Sequence, residues 1–263
     1  MNPLRVHVQG IGVWSPRLGD FDALKQLLDG ATPPPPAARP PAATLPPNER
    51  RRAPESVLLA VEVAAQAVQM SGLAADALTC VFASSHGDQA ITDYMCRTLA
   101  DAPAELSPIR FHKSVHNAPV GYWTIATGCH APSTAIAAQR ASFGAGLLEA
   151  ASQVLADGRA VLLVCSDIAG MPPLQEVTGC SEPFGCALVL APQPDAHTVA
   201  SLDIALAAGV AQAPLPEPLA AWRAANASAA ALPLLCRLAQ QRGTCELQAA
   251  TALVLQVAAA APA

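Results

Sequence analysis

Several side chains in the sequence have the chemistry of a catalytic site. Ser84-Ser85-His86-Gly87-Asp88 contains the residue types of a hydrolase triad. A triad assembles from distant parts of a chain, so five consecutive residues do not predict one. Cys129 and His130 suggest a nucleophile beside a base, but neighbours on a strand point to opposite faces. We expect Cys129 to be a packed thiol.

Metal and nucleotide sites are not expected either. His112 and His116 have the spacing of two zinc ligands on a helix, yet Pro119 is close and no third ligand is visible. Gly10 and Gly12 begin a dinucleotide-binding fingerprint that no third glycine completes. No Gly-x-Ser-x-Gly elbow occurs, which argues against an α/β-hydrolase. We therefore expect no metal and no cofactor.

The composition indicates a folded chain with much apolar surface. Hydrophobic residues make up 52% of the 263 residues and charged residues 13%. This balance provides ample core, and a low charged fraction is also typical of the centre of a protein interface. The net charge is -5 and no basic stripe is visible, so nucleic acid is not an expected partner.

The eight cysteines include no Cys-x-x-Cys pair, and several lie in apolar runs. This pattern favours buried, reduced thiols in a cytoplasmic protein over a disulfide framework. The first residues lack a charged head followed by an apolar core, so no signal peptide is expected. No apolar stretch is long and uninterrupted enough to predict a membrane span.

Local patterns predict the first elements. Residues 5–13 alternate and predict a strand. Residues 21–28 predict a short helix that begins after Asp20 and ends at Gly30. Residues 31–47 hold eight prolines, and we expect an extended surface segment there. Too little chain precedes this segment to fold alone, so it is not expected to be a domain boundary.

The rest of the chain alternates between the two periodicities. The patterns predict helices over 55–70, 134–155 and 215–242, a loop followed by a helix over 87–99, and strands over 79–84, 160–166, 186–191 and 247–257. Residues 105–120 contain two prolines and are expected to be irregular. Strands that alternate with long helices predict an α/β fold with a sheet covered on both faces. We expect one domain over 1–263, with 200–263 a shortened C-terminal part.

The block from Arg110 to Ala150 resembles the segment of β-ketoacyl synthases that leads to their catalytic cysteine. In that family a turn, a strand at the subunit contact, a second turn and a short strand precede a helix that the cysteine opens. The matching pieces here are Asn117 to Gly121, Tyr122 to Ala126, Gly128 to Pro132, and Ala135 to Ala138. Ala131 stands where the family usually has glycine.

Three further blocks occur in the family's order. Residues 9–16 are similar to its opening strand, residues 81–88 to its third strand, and residues 160–167 to the strand after the catalytic helix. The resemblance covers roughly residues 5 to 191. It implies a thiolase-like layered fold, in which helices cover a mixed sheet, truncated relative to a full ketosynthase.

The nucleophile of the family is missing. Counting from Pro132 places the catalytic cysteine at Arg140, or at Gln139 if the alignment slips by one residue. A guanidinium is always protonated and is not a nucleophile. Chain-length factors, the silent partners of type II polyketide ketosynthases, carry glutamine there. The family's two C-terminal histidines are also missing, because only His197 follows His130.

The resemblance therefore implies a non-catalytic subunit of the chain-length-factor type, most like those of aryl polyene and xanthomonadin-like pathways. Its partner would be an active ketosynthase, in a heterodimer that an acyl carrier protein visits. The apolar strand Tyr122 to Ala126 would pair with the partner, with Tyr122 and Trp123 as anchors. The expected interface and tunnel residues are Phe111, His112, Val115, His116, Asn117, Ala118, Pro119, Tyr122, Trp123 and Thr124.

Arg140 has two interpretations at this stage: it reaches the partner's tunnel or carboxylates, or it is a tolerated substitution at a lost site. Two alternatives to the silent subunit also stay open. The chain is an autonomous acyl-transfer enzyme or hydrolase that uses another cysteine or serine, or it is a homodimeric module that binds an acyl chain or carrier. Reactive thiols would favour the enzyme.

Overall fold

The structure, a computed structural model, describes residues 3–262. Its strands are β1 (Leu4–Trp14), β2 (Thr79–Ala83), β3 (Ser133–Ile136), β4 (Val161–Asp167), β5 (Phe184–Ala191), β6 (Ala200–Ala208), β7 (Gly243–Ala250) and β8 (Leu253–Ala260). Its helices are α1 (Phe21–Leu28), α2 (Pro47–Arg52), α3 (Glu55–Ser71), α4 (Gln89–Asp101), α5 (Pro108–Lys113), α6 (Ala118–Thr127), α7 (Ser142–Asp157), α8 (Leu174–Thr178), α9 (Leu219–Ala225) and α10 (Leu232–Ala239).

The described strands form one sheet in the order β3-β2-β4-β5-β1-β6-β8-β7. Strands β3, β2 and β4 are parallel, and the other neighbours are antiparallel. The carboxyl ends of the three parallel strands therefore lie at one edge of the sheet, where ligand sites of open α/β folds usually occur. Strand β3 has a neighbour on one side only.

Helix α7 lies between the two halves of the sheet. It contacts β2 and β4 as well as β7. In a flat sheet β4 and β7 would be roughly 24 Å apart, more than twice the width of a helix. The sheet must therefore turn over α7, and the turn occurs at β1, which pairs with β5 along His7–Trp14 and with β6 along Leu4–Val8.

Glycines allow these layers to approach closely. A Cβ on Gly144 would overlap the carbonyl oxygen of Gln248 in β7, and one on Gly146 would lie 3.0 Å from Leu163 Cδ1 in β4. The two glycines thus face the two halves of the sheet from one helix. Gly10 likewise allows α3 to approach β1 closely, because a Cβ on Gly10 would overlap the carbonyl oxygen of Ala67.

Buried apolar residues pack on both faces of the part of the sheet that contains β2, β4, β5 and β1. One cluster lies around α7 and α10 and includes residues from Val6 to Ala259, so both ends of the chain contribute. The other lies under α3 and α6 and includes Trp123. The α/β fold with helices on both faces, predicted from the alternating patterns, is confirmed. Within the described residues, no helix is both long and apolar enough to cross a membrane.

Most local predictions agree with the structure. Helix α1 has the predicted bounds, and the Asp20 carboxylate accepts a hydrogen bond from Ala23 N at 2.7 Å as its N-cap. Residues 31–37 form no regular secondary structure and Pro47 already begins α2, but this segment is not wholly at the surface. Ala42 and Leu45 are buried under α3, where Ala42 N donates to Glu62 Oε2 at 2.7 Å.

The segment before β3 was predicted wrongly. Residues 105–120 are not irregular, because Pro108 and Pro119 occupy the first turns of α5 and α6, where a helix tolerates proline. Tyr122–Ala126 is helical, not a strand, and α6 ends at Gly128 in the left-handed conformation. A short apolar run fits a strand and a buried helix equally well, so its pattern did not distinguish them.

Three further predictions differ from the structure. The helical pattern over 134–155 begins as strand β3, and the helix starts only at Ser142. Strand β6 was missed, although Leu202 and Ile204 alternate with less buried neighbours. Strands β7 and β8 replace the single strand predicted over 247–257.

Candidate functional site

A sharp turn joins β3 to α7 at the carboxyl edge of the sheet. Gln139 begins it with a φ of 50°, a left-handed conformation that a residue with a side chain adopts only at a cost. The Gln139 carbonyl accepts hydrogen bonds from the hydroxyls of Ser85 at 2.6 Å and Ser142 at 2.7 Å. Ser142 Oγ also accepts from Ala138 N at 2.9 Å. These bonds hold the turn in place.

A buried carboxylate lies behind this turn. Asp167 ends β4, is 1% exposed, and accepts from Ser84 Oγ at 2.8 Å, from Ser85 N at 2.9 Å and from Ser228 Oγ at 2.6 Å. The cost of burying the charge is offset because hydrogen bonds surround it. The carboxylate thereby fixes the carboxyl ends of β2 and β4 to each other and to the segment before α10.

Asn226 extends this network. Its Nδ2 donates to Asp167 O at 2.9 Å and to Glu182 O at 2.7 Å, and its Oδ1 accepts from Ser228 N at 2.8 Å. The connection between α9 and α10 is thus fastened to the edge that carries the turn. Sequence reasoning missed Asp167, Asn226 and Ser228. The only signal was an acidic residue directly after the apolar run of β4.

Arg140 follows Gln139, and its guanidinium bonds to carbonyls of its own chain. The contacts are 3.1 Å to Ala224 O, 3.4 Å to Arg223 O and 3.5 Å to Gly179 O. Ala224 and Arg223 lie in the last turn of α9, whose exposed carbonyls and helix dipole favour a cation. The side chain therefore joins the turn to α9 across the surface.

The carboxyl edge offers no activated nucleophile in the described residues. Ser84 Oγ donates to Asp167, and Ser85 Oγ donates to the Gln139 carbonyl. His116 Nε2 lies 3.0 Å from the main-chain oxygen of Ser84. The imidazole therefore does not act as a base toward a serine hydroxyl. His197, between β5 and β6, lies at the opposite end of the strands.

One serine does meet an imidazole elsewhere. His7 Nδ1 and Ser201 Oγ are 2.9 Å apart, as directly opposed residues on β1 and β6. Burial lowers the pKa of His7, and the nearby Arg5 lowers it further. The pair lies on the sheet, far along the strands from Gln139, and contributes to strand pairing.

Burial also disfavours the thiolate form of most cysteines. It raises the pKa of Cys80 to about 12, of Cys236 to about 11 and of Cys245 to about 12. The pKa of Cys165 and that of Cys186 are raised by complete burial. No group of three or more His, Cys, Asp or Glu residues in 3–262 could hold a metal ion.

An open apolar groove of about 560 Å³ lies between α2, α5 and α6. Five of the residues predicted for the interface and tunnel line it: His112, Val115, Asn117, Ala118 and Tyr122. Phe111, on α5, is 59% exposed and does not line the groove. The structure therefore brings half of the predicted set together on one surface.

The other predicted residues lie elsewhere. Trp123 is 1% exposed and packs against α3, which corrects the expectation that it anchors an interface. His116 faces the main chain at Ser84, and Thr124 donates to a carbonyl within α6. Pro119 lies in the first turn of α6. Ile125 was not predicted, yet it is 84% exposed and lines the groove.

Comparisons with known proteins agree with this architecture. A family model described as "Beta-ketoacyl synthase, N-terminal domain" matches residues 28–212. No curated protein matches the chain. A chain in the complex of the ketosynthase ApeO with its chain length factor ApeC from Xenorhabdus doucetiae is 21% identical, with a TM-score of 0.72 over 96% of this chain and 98% of that one.

Two further structures compare the length of this chain with that of a chain length factor complex and of a modular ketosynthase. A chain of the ishigamide ketosynthase/chain length factor is 17% identical, with a TM-score of 0.68 over 98% of this chain and 99% of that one. The ketosynthase from module 1 of the bacillaene synthase of Bacillus amyloliquefaciens is 14% identical, with a TM-score of 0.58 over 78% of this chain but 46% of its own. The fold is thus thiolase-like and short relative to that ketosynthase, as predicted, and the chain belongs to the β-ketoacyl synthase, N-terminal domain family.

Proposed function

We propose that this chain is a non-catalytic, chain-length-factor-type subunit that pairs with an active β-ketoacyl synthase and shapes its acyl tunnel. The observation that carries the proposal is the turn between β3 and α7, which contains Gln139 and Arg140, the two positions that the resemblance assigns to the nucleophilic cysteine. Gln139 has the left-handed backbone of a strained elbow, and its amide cannot attack a thioester. Gln139 is therefore the residue that we assign to the cysteine's position, not Arg140.

Strand β3 is the element that we expect to meet the partner. The sequence had suggested Tyr122–Ala126 as the strand that pairs with the partner, but that segment is helical. Pro132 O accepts from Cys80 N in β2, and Ile136 O accepts from the residue just after β2. By alternation, the main-chain groups of Ser133 and Ala135 point away from the sheet. An edge strand with free N–H and C=O groups pairs readily with a strand of another chain.

The exposed apolar surface of α5 and α6 also supports a protein interface. Ile125 and Val115 line the groove, and Ile109 and Phe111 extend the exposed apolar surface along α5. Contiguous apolar surface of this kind marks a binding site for a protein or an apolar ligand. We infer that Val115, Tyr122 and Ile125 bound the partner's acyl tunnel and so limit the length of the polyketide chain, in a pathway of the aryl polyene type.

Unpaired cations flank this surface. Arg50, Arg51, Arg52, Arg110 and Lys113 pair with no carboxylate among the described residues, and Lys113 Nζ donates to Arg52 O at 2.7 Å. On a chain of net charge -5, this local excess of positive charge favours an acidic complement. The partner or its acyl carrier protein would supply that complement.

The test is co-expression with the ketosynthase encoded beside this chain, followed by native mass spectrometry. A one-to-one complex whose condensation activity requires both chains is the expected result. A homodimer that ignores the ketosynthase contradicts the proposal and favours the homodimeric binding module. Condensation or thioester hydrolysis by this chain alone contradicts it too and favours the autonomous enzyme.

A further inference from the structure

Six of the eight cysteines occur in three spatial pairs. Cys165 and Cys186 are directly opposed on β4 and β5. Cys236 and Cys245 line one cavity between α10 and β7. In the third pair, Cys80 Sγ and Cys129 Sγ both donate to one main-chain oxygen, Leu78 O, at 3.5 Å and 3.4 Å. The two sulfurs of the third pair are therefore no farther apart than the sum of those distances.

In addition to burial, the Cys129 thiol helps to raise the pKa of Cys80, because the two thiols lie close together. The indole Nε1 of Trp123 is buried without an acceptor among the described residues, and Trp123 lowers the pKa of Cys80, which burial raises. A donor so placed stabilises negative charge on sulfur, which opposes part of the effect of burial. Among residues 3–262, no shared acceptor joins the sulfurs of either other pair.

Access separates the pairs further. Cys165 and Cys186 are both 0% exposed in the middle of the sheet, where an oxidant does not reach. Cys129 is 6% exposed, and it directly follows Gly128 at the end of α6. Cys129 is therefore the more accessible thiol of its pair, since Cys80 is 0% exposed. This order of exposure makes Cys129 the thiol that an oxidant attacks first and Cys80 the resolving thiol.

We propose that Cys80 and Cys129 are a modification site, at which a peroxide forms a reversible disulfide between β2 and the connection from α6 to β3. The Cys129 sulfur attacks the O–O bond, becomes a sulfenic acid and releases one water from hydrogen peroxide. The Cys80 sulfur then attacks the Cys129 sulfur, the S–S bond forms, and the hydroxyl leaves as a second water with the thiol proton. The two thiols lose two electrons, and the peroxide gains them.

The bond would fasten the start of the edge strand. Pro132 O, three residues after Cys129, already accepts from Cys80 N at 3.0 Å. The disulfide would close a long loop that contains α4, α5 and α6. Restricting that loop in the unfolded chain is expected to raise Tm by roughly 5–10 °C. The burial that raises the pKa of Cys80 to about 12 makes the resolving step slow.

The experiment treats the full, reduced chain with hydrogen peroxide, blocks free thiols with iodoacetamide, and maps disulfides by mass spectrometry without reduction. Cys80 and Cys96 share one tryptic peptide, so a second protease that cleaves after Asp88 is needed to separate them. The expected product is a cross-linked Cys80–Cys129 peptide that dithiothreitol reverses, together with the rise in Tm.

Two variants make the assignment specific. Cys129→Ser is expected to abolish the cross-link, while Cys96→Ser, at an exposed and unpaired thiol, leaves it intact. If Cys129→Ser does not fold, the wild-type peptide map still decides. A cross-link at Cys236–Cys245 instead, a bond that forms only in denaturant, or free Cys80 and Cys129 after full oxidation of Cys96 overturns the proposal. None of these results depends on the ketosynthase partner.

Discussion

The Ser228 hydroxyl donates to Asp167 Oδ2 at 2.6 Å, and this contact joins the C-terminal third of the chain to the edge that carries the turn at Gln139. Ser228 precedes α10 and Asp167 ends β4. Because the carboxylate also holds Ser84 and Ser85, a single buried charge sets the relative positions of three segments.

Replacing this carboxylate with an amide is expected to be costly. In Asp167→Asn an NH₂ group would face donors that now bind a carboxylate, so the free energy of unfolding should fall by about 3 kcal/mol. Urea denaturation of the variant and the wild type measures this loss of unfolding free energy. The control is Asp157→Asn, at the exposed end of α7, which should change stability by less than about 0.5 kcal/mol. Equal effects of the two changes would show that the network contributes nothing.

The position of α7 between the two halves of the sheet predicts opposite effects for two glycine substitutions. A methyl on Gly144 would overlap the backbone of Gln248, so Gly144→Ala should cost about 2 kcal/mol or more. Gly121 lies in α6 with open space around it, so Gly121→Ala should stabilise the protein by about 0.5–1 kcal/mol through helix propensity. Thermal unfolding of both variants tests this. A neutral Gly144→Ala would contradict the close packing of α7 on β7.

Arg140 is expected to stabilise the turn by binding the end of α9. Arg140→Met removes its hydrogen bonds to Ala224 O, Arg223 O and Gly179 O and should cost about 1 kcal/mol of unfolding free energy. Arg159→Met is the matched control, because Arg159 is exposed and makes no side-chain hydrogen bond in the described structure. If both variants unfold at the same urea concentration, Arg140 has no such role.

The ion pair between Arg17 and Glu182 should make stability depend on pH. The hydrogen bond from Arg17 lowers the pKa of Glu182 below its ordinary value of 4.5. The stabilisation is therefore complete above that ordinary value and is lost as the pH falls through the lower folded value. Both side chains are more than one third exposed, so solvent screening limits the contribution to about 0.5 kcal/mol.

Comparing wild type with Glu182→Gln across this pH range measures the effect. The difference in unfolding free energy should be present near pH 7 and fade as the pH falls below the ordinary value of 4.5. Added salt should reduce the difference near pH 7, since the pair is exposed. A difference that grows on acidification would have the wrong sign for this pair.

The proposed interface predicts which exposed groups matter for partner binding. Ile125→Asp places a charge on the apolar surface, and Ala135→Pro removes an outward N–H of β3, so each should weaken the complex by about tenfold or more. Val177→Asp, on α8 at 83% exposure, is the control and should bind normally. Affinity measured by titration, with Tm recorded for each variant, separates lost binding from lost folding. Unchanged affinity in both interface variants would place the partner elsewhere.

Trp123 should behave differently from Ile125, although the two residues lie in one helix. Its ring is buried against α3, so truncation mainly removes core packing. Sequence reasoning assigned Trp123 to an interface because large aromatic residues are frequent there, yet they are as frequent in cores. Only the orientation of α6 distinguishes the two locations, and contacts distant in sequence determine that orientation.

The sequence by itself determined the local elements and the chemistry of the turn. Periodicity gave most strands and helices because each pattern is set by neighbouring residues, and Asp20 caps α1 through atoms three residues away. The sequence alone shows that neither Gln139 nor Arg140 carries a thiol. The tertiary structure alone decided that β1 turns the sheet over α7, that Tyr122–Ala126 is helical, and that Asp167 meets Ser228. These depend on packing and hydrogen bonds between distant segments, which local pattern does not encode.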